Sequence, residues 1–304
     1  MAPPTLVVIA GPTAVGKTEL SIQLAKQWAC EILSADSRQF YQEISIGTAR
    51  PLPEEWQGVP HHFLGFLPLE TPYTAGRYEQ EALALLEKLF TKNDRVILTG
   101  GSGLFLKAVC AGIDPMPEID AEVREKLNHR LATESLSVLF QELEQLDPEY
   151  AAVVDRQNPR RVLRGLEVVK SCGIPYSSFR KAQPKKRPFQ MVGLCLDRPR
   201  AELHARINQR VDAMVAAGLE AEARSVYPKK DLNSLQTVGY REWFEHFDGN
   251  ISKQEAIEKI KAHTRQFARR QLTWFRNDPF YQWFHPDDQA GVAQFLASVL
   301  SKPS

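Results

Sequence analysis

Cysteine is scarce in this chain of 304 residues: Cys30, Cys110, Cys172 and Cys195 stand far apart, with no C-x-x-C pair. That spacing excludes a zinc knuckle and a redox dithiol, and it reads as reduced thiols in a cytoplasmic protein. There is no run of 18 apolar residues, which excludes a membrane-spanning helix. The first apolar stretch opens at Thr5, so no signal peptide is expected ahead of it. Internal repeats and low-complexity tracts are lacking as well. Net charge is only +1, too small to mark a polyanion binder by itself. Hydrophobic residues at 43% and charged residues at 25% are ordinary for a globular protein long enough to bury a sizeable core.

One motif stands out. Gly11, Pro12, Thr13, Ala14, Val15, Gly16, Lys17 and Thr18 fit G-x-x-x-x-G-K-[ST]. The β-branched run Thr5 to Ala10 precedes it, and Leu20, Leu24 and Trp28 follow at helical spacing. Strand, glycine loop and helix together aim backbone N–H groups and a helix N-terminus at a phosphate. Lys17 adds a point charge and Thr18 offers a hydroxyl to Mg²⁺. A nucleotide hydrolase also needs an apolar strand ending in a metal-holding Asp. The candidate strand, Arg95 to Thr99, runs instead into Gly100-Gly-Ser-Gly103. Asp36 does follow a strand, but Ser37-Arg-Gln-Phe-Tyr41 behind it is unlike a metal-only site. The loop therefore has two readings, an ATP that is hydrolysed or a diphosphate that leaves, and the missing Asp favours the second.

The small net charge hides blocks. Arg156 to Arg187 holds ten Lys or Arg against one acid, Glu167, and Lys259 to Arg276 holds six against none. Asp114 to Glu149 carries ten acids against three Lys or Arg. Such basic faces suit a phosphate backbone, although any one of them could be a solvated helix face.

Alternating strands (5–10, 31–35, 95–99) and helices (17–28, 76–90, 103–111) predict an α/β fold, a parallel sheet with right-handed crossovers. Pro115-Met-Pro117 breaks the alternation. Helices are then expected at 120–133, 135–145, 148–154 and 159–171. Strand character returns at 189–196, and helices follow at 199–217, 218–226, 239–247, 252–277 and 286–301. The simplest organisation is a phosphate-loop core of residues 1–113 and 189–304, interrupted by an all-helical insertion of residues 114–188.

Several further strings stand in a fixed order: Asp36-Ser-Arg-Gln-Phe-Tyr41, Ile46-Gly-Thr-Ala-Arg-Pro51, Pro60-His-His62, Gly100-Gly-Ser-Gly103 and Arg198 with Arg206-Ile-x-x-Arg210. Gln236-Thr-Val-Gly-Tyr240 and Thr264-Arg-Gln-Phe-Ala-Arg-Arg-Gln271 complete the series. With the loop they closely resemble the tRNA dimethylallyltransferases over residues 5–277. The resemblance implies transfer of a dimethylallyl group from dimethylallyl diphosphate to the N6 amine of the adenosine just 3′ of the anticodon, with Mg²⁺ assisting. It implies Asp36 as general base, and Thr18 and Arg206 at the leaving diphosphate. It also places Asp36, Ser37, Arg38, Gln39, Ser102, Arg124, Arg160, Arg161 and Arg164 against the tRNA anticodon stem-loop. Gln236, Gly239, Tyr240, Arg241, Arg265, Gln266, Arg269, Arg270 and Gln271 belong to the same expected set. Ser102 stands where the family commonly has Thr and keeps the hydroxyl. His61 and His62 are expected to anchor a loop rather than hold a metal. A monomer is expected.

Two rivals share the loop. An adenylate isopentenyltransferase, acting on free AMP, ADP or ATP, would not need the basic strings. A phosphate-loop kinase would need an adenine pocket and an arginine-bearing lid, which the insertion could supply. A non-enzymatic RNA-binding module would need no Asp36 beside the loop.

Overall fold

A computed structural model describes residues 3–180 and 183–300. Lys181, within the first basic block, and Ser301, the expected end of the last helix, lie outside the described residues.

β1 (Thr5–Ala10) is buried along its whole length. A β-branched run buried on both faces suits the interior of a parallel sheet. β1 lies between β4 (Arg95–Gly100) and β5 (Gln190–Leu196), both parallel to it, with Ala10 opposite Gly100 and Cys195. β2 (Ile32–Ser34) pairs with β4, β3 (His61–His62) with β2, and β6 (Tyr281–Phe284) with β5. The order is β3-β2-β4-β1-β5-β6, parallel throughout.

Sequence patterning anticipates four of these strands and misses β3 and β6. β3 is only two residues long, and Tyr-Gln-Trp-Phe284 lacks both alternation and β-branching. Each becomes a strand because a neighbouring strand offers a free edge.

Helices α1 (Lys17–Trp28), α2 (Ala75–Phe90) and α3 (Gly103–Ala111) follow β1, β3 and β4. After β5 come α8 (Arg200–Ala216), α9 (Leu219–Val226), α10 (Arg241–Phe247) and the long α11 (Lys253–Arg276). α12 (Gln289–Leu300) follows β6. Leu20 and Leu24 of α1, Leu203 and Ile207 of α8, Ala268 of α11 and Leu296 of α12 join Val7, Ile9, Val192 and Leu194 of the sheet in one apolar core. A second nucleus is aromatic: Phe40 stacks on Tyr78 with centroids 5.4 Å apart, and Phe105 packs against both rings. Tyr78 spends its hydroxyl on the Ser34 carbonyl at 2.8 Å. No described helix is long and apolar enough to cross a membrane.

The chain divides into two compact units, Met1–Cys110 with Lys186–Ser304, and Ala111–Lys185. The second unit is a helical cluster of α4 (Ala121–Thr133), α5 (Leu136–Leu146), α6 (Pro148–Val153) and α7 (Pro159–Cys172). Leu127, Leu139, Leu143, Tyr150, Val162 and Leu166 form its core. Gly165 belongs there because a Cβ would lie 2.8 Å from Leu143 and 2.9 Å from Tyr150. Asp147 is buried and fully used, accepting from Tyr150 N–H at 3.0 Å, Ser177 N–H at 2.8 Å and Ser177 Oγ at 2.7 Å.

Candidate active site

In an open parallel sheet, chemistry gathers beyond the C-terminal ends of the strands. Three such ends build this site: the loop 11–16 after β1, the turn at Asp36 after β2, and Gly100–Ser102 after β4.

The loop after β1 has its carbonyls tied down by cations. Lys17 Nζ donates to Gly11 O at 3.0 Å and Pro12 O at 2.8 Å. Arg206 Nε donates to Ala14 O and Arg198 Nε to Val15 O, both at 2.9 Å. Gly11 (φ 146°), Ala14 (φ 64°) and Gly16 (φ 117°) supply the left-handed backbone that this winding needs. At Gly11 a Cβ would also stand 2.8 Å from Leu196 O. With the carbonyls engaged, the amides are left over. Among the described residues, no protein acceptor meets the N–H groups of Ala14, Val15 or Gly16. Thr13 N–H is the exception, donating to Gln271 Oε1 at 3.0 Å.

Charge is concentrated on this loop. Among the described residues, neither Arg206 nor Arg210 has a carboxylate within ion-pair distance. Arg210 donates only a long bond, 3.4 Å, to Thr13 Oγ1. Burial lowers its affinity for the proton, and the Arg206 charge lowers it further. Burial likewise pushes the Lys17 ammonium down to about 8; the Asp36 charge pulls it back up and Arg210 pushes it down. Half-buried cations without acid partners carry a desolvation cost that an anion joining them would offset. Sequence reasoning assigned Arg206 and passed over Arg210. The signal was the four-residue spacing, which puts both guanidiniums on one face of α8.

Asp36 sits in a tight turn. Its Oδ1 accepts Arg38 N–H at 3.0 Å and its carbonyl accepts Gln39 N–H at 3.1 Å. Among the described residues no protein donor engages Oδ2. The turn is braced from β4: Ser102 N–H donates to Ala35 O at 3.3 Å, and Ser102 Oγ accepts Ser37 N–H at 3.1 Å. A Cβ on Gly100 would lie 2.3 Å from Ala35 O, which accounts for that glycine. Beside Asp36, Arg38 donates to Asn233 O at 2.8 Å and Ser234 O at 3.0 Å. Gln39 spends its NH₂ on Thr48 O and Ala49 O, both at 3.1 Å, so its amide is committed inside the protein.

Three expected tRNA contacts stand away from the protein surface in this structure. Tyr240 is fully buried and donates its hydroxyl to Glu222 Oε1 at 2.5 Å. Gly239 is buried with its N–H on Glu242 Oε2 at 2.9 Å. Gln271 is 6% exposed and bonded to the loop. The Gln236–Tyr240 string is thus largely packing: Glu222 collects Tyr240 together with the N–H groups of Ser45, Ile46 and Gly47. Gln236, Arg241, Gln266, Arg269 and Arg270 are exposed, and Arg265 is half-buried with NH1 on Asn208 Oδ1 at 2.6 Å. In the helical unit Arg160 and Arg161 are exposed, while Arg124 and Arg164 share Glu167 at 3.3 and 3.4 Å. Thr18 is exposed in the first turn of α1. His62 meets Glu31 at 2.6 Å, and His61 sets Nδ1 on Val59 O at 2.8 Å with its ring on Trp56, so both anchor β3.

The profile of the IPP transferase family matches residues 39–278. The chain belongs to the IPP transferase family. Similarity extends along nearly the whole chain. The tRNA dimethylallyltransferase 1 of Bacteroides fragilis is 49% identical over 300 residues, covering 99% of this chain and 100% of the relative. The full-length tRNA isopentenylpyrophosphate transferase of Bacillus halodurans, a solved structure, is 35% identical with a TM-score of 0.71, covering 98% of this chain and 96% of that one. A eukaryotic dimethylallyltransferase, solved in snapshots of its action on tRNA, is 25% identical with a TM-score of 0.81, covering 99% of this chain and 80% of that one. The family match opens at Gln39, so the loop and Asp36 lie ahead of it and are covered by the full-length relatives.

Proposed function

We propose that this protein is a tRNA prenyltransferase that moves a dimethylallyl group from dimethylallyl diphosphate to N6 of the adenosine 3′-adjacent to the anticodon. One observation carries the reading: Lys17, Arg206 and Arg210 converge on a loop whose Ala14, Val15 and Gly16 amides meet no protein acceptor among the described residues, and the carboxylate whose charge Lys17 feels is Asp36. The cations stabilise a leaving diphosphate, and the carboxylate receives a proton from the incoming nucleophile. In the reaction the allylic C1–O bond breaks and the N6–C1 bond forms. Diphosphate takes the bonding pair and Asp36 takes the N6 proton. The amine of adenine is a weak nucleophile because its lone pair is drawn into the ring, so a poised acceptor strengthens its attack.

Thr18 offers an exposed hydroxyl oxygen at the first turn of α1, a hard donor that fits Mg²⁺. Mg²⁺ held there would lend positive charge to the diphosphate oxygens. The target base must leave the anticodon loop stack to reach Asp36, at a cost of a few kcal/mol. Backbone contacts to Arg160, Arg161, Arg269 and Arg270 offset that cost. The protein works as a monomer in the cytoplasm.

The experiment is one incubation of the protein and Mg²⁺ with radiolabelled dimethylallyl diphosphate, unmodified tRNA, AMP and ATP. Label is expected in tRNA at a single adenosine, with none in the free nucleotides and no ATP hydrolysis above background. Label in AMP instead, or tRNA-stimulated ATPase activity, refutes the reading.

A further inference from the structure

Gln271 lies on α11, the helix whose solvent side carries Arg269 and Arg270. Its side chain points the other way. Oε1 accepts Thr13 N–H at 3.0 Å, and Nε2 donates to Gly101 O at 2.9 Å. The first bond spans 258 positions of sequence and the second 170. One amide therefore ties together the loop after β1 and the turn after β4. The partners fix its orientation: turned over, the NH₂ would face an N–H and the oxygen a carbonyl. Glutamate could satisfy Thr13 but would set an anion against Gly101 O, and methionine fills the space with neither bond. Gly101 is cut to fit, since a Cβ there would stand 2.2 Å from Nε2. The same turn braces Asp36 through Ser102, Ala35 and Ser37.

We infer that Gln271 is a positioning residue for the diphosphate, holding Thr13 so that the following amides face the leaving group and joining α11 mechanically to the loop. This rests on the diphosphate reading of the loop given above. It differs from a tRNA contact in what it predicts. Loss of Gln271 should loosen the loop without changing the surface that faces RNA.

The test measures binding of inorganic diphosphate with Mg²⁺ by calorimetry, binding of an anticodon stem-loop by filter retention, and steady-state kinetics. It is run on the full chain as wild type, Gln271→Met and Gly101→Ala. The second variant displaces the amide without removing it. Both are expected to weaken diphosphate binding about tenfold and raise KM for the prenyl donor, with the stem-loop Kd unchanged within about twofold. Gln271→Met weakening the stem-loop while leaving diphosphate alone overturns the inference in favour of an RNA contact. Wild-type diphosphate affinity in both variants overturns it outright. A wild type that binds no diphosphate removes the reading of the loop itself, and the inference with it.

Discussion

Ser102 Oγ accepts the backbone N–H of Ser37 at 3.1 Å, joining the end of β4 to the turn that presents Asp36. The residue that looks, in sequence, like a weakened family threonine is a brace for the candidate base. Its hydroxyl also donates to Ser37 Oγ at 3.3 Å.

Asp36→Asn keeps the size of the side chain and its acceptor for Arg38 N–H but abolishes the proton acceptor. Turnover should fall by about 10²–10⁴ with tRNA affinity little changed. Single-turnover transfer alongside filter binding checks both halves. A kcat within about threefold of wild type would remove Asp36 from the role of base.

Lys17 gives a pH signature. Its ammonium is held at about 8 in the free protein, chiefly by burial, below the ordinary 10.5. The charged form meets diphosphate, so kcat/KM for the prenyl donor should fall as pH rises through about 8, approaching about tenfold per pH unit. The fall in kcat should begin at higher pH, because bound diphosphate stabilises the ammonium. Profiles between pH 6 and 9.5 decide it; kcat/KM level across that range would contradict the assignment.

Arg269 and Arg270 are exposed on an acid-free stretch of α11. If each neutralises one backbone phosphate of a single-stranded loop, the slope of log affinity against log salt should flatten by about 0.7 for each, roughly 1.4 for the double alanine variant. Donor binding should not change. Equal slopes for variant and wild type would take α11 out of the RNA interface.

Gly47→Ala probes the packing behind the site. An added Cβ would lie 2.6 Å from the ring of Tyr240, which is pinned by Glu222 and cannot retreat. Overpacking of this kind costs about 1–3 kcal/mol. Urea unfolding should show a lower midpoint with an unchanged slope.

Periodicity made the helices legible, since each carries its own pattern, and β1 was legible because five apolar residues in a row, Leu6 to Ala10, leave few alternatives. The loop was readable as a string, Gly11 to Thr18. Its support was not, because Arg198, Arg210 and Gln271 act across the fold, and the strings they stand in do not say which loop atoms each would hold. Tyr240 and Gln271 gave no sign of their inward placing for the same reason. They stand among polar and basic neighbours, and whether such a residue faces RNA or the core depends on which face of its element is turned inward. Strand β6 was hidden because its pairing with β5, not its composition, makes it a strand.

Ribosomes deliver the phosphate motif first and its scaffolding last. The carbonyl of Val15 is held by Arg198, and Arg198 is held in turn by Glu202 and by Asp287, the latter at 2.9 Å. Contacts so distant in sequence close late, after the entropy of a long loop has been spent. A nascent chain with all of Gly11 to Thr18 already outside the tunnel thus carries the letters of the site without its shape. The Asp287 contact to Arg198 can form only when synthesis has passed β6. A chain ended at Asn277 should keep the motif and fail to capture diphosphate, a built-in delay between making the loop and arming it.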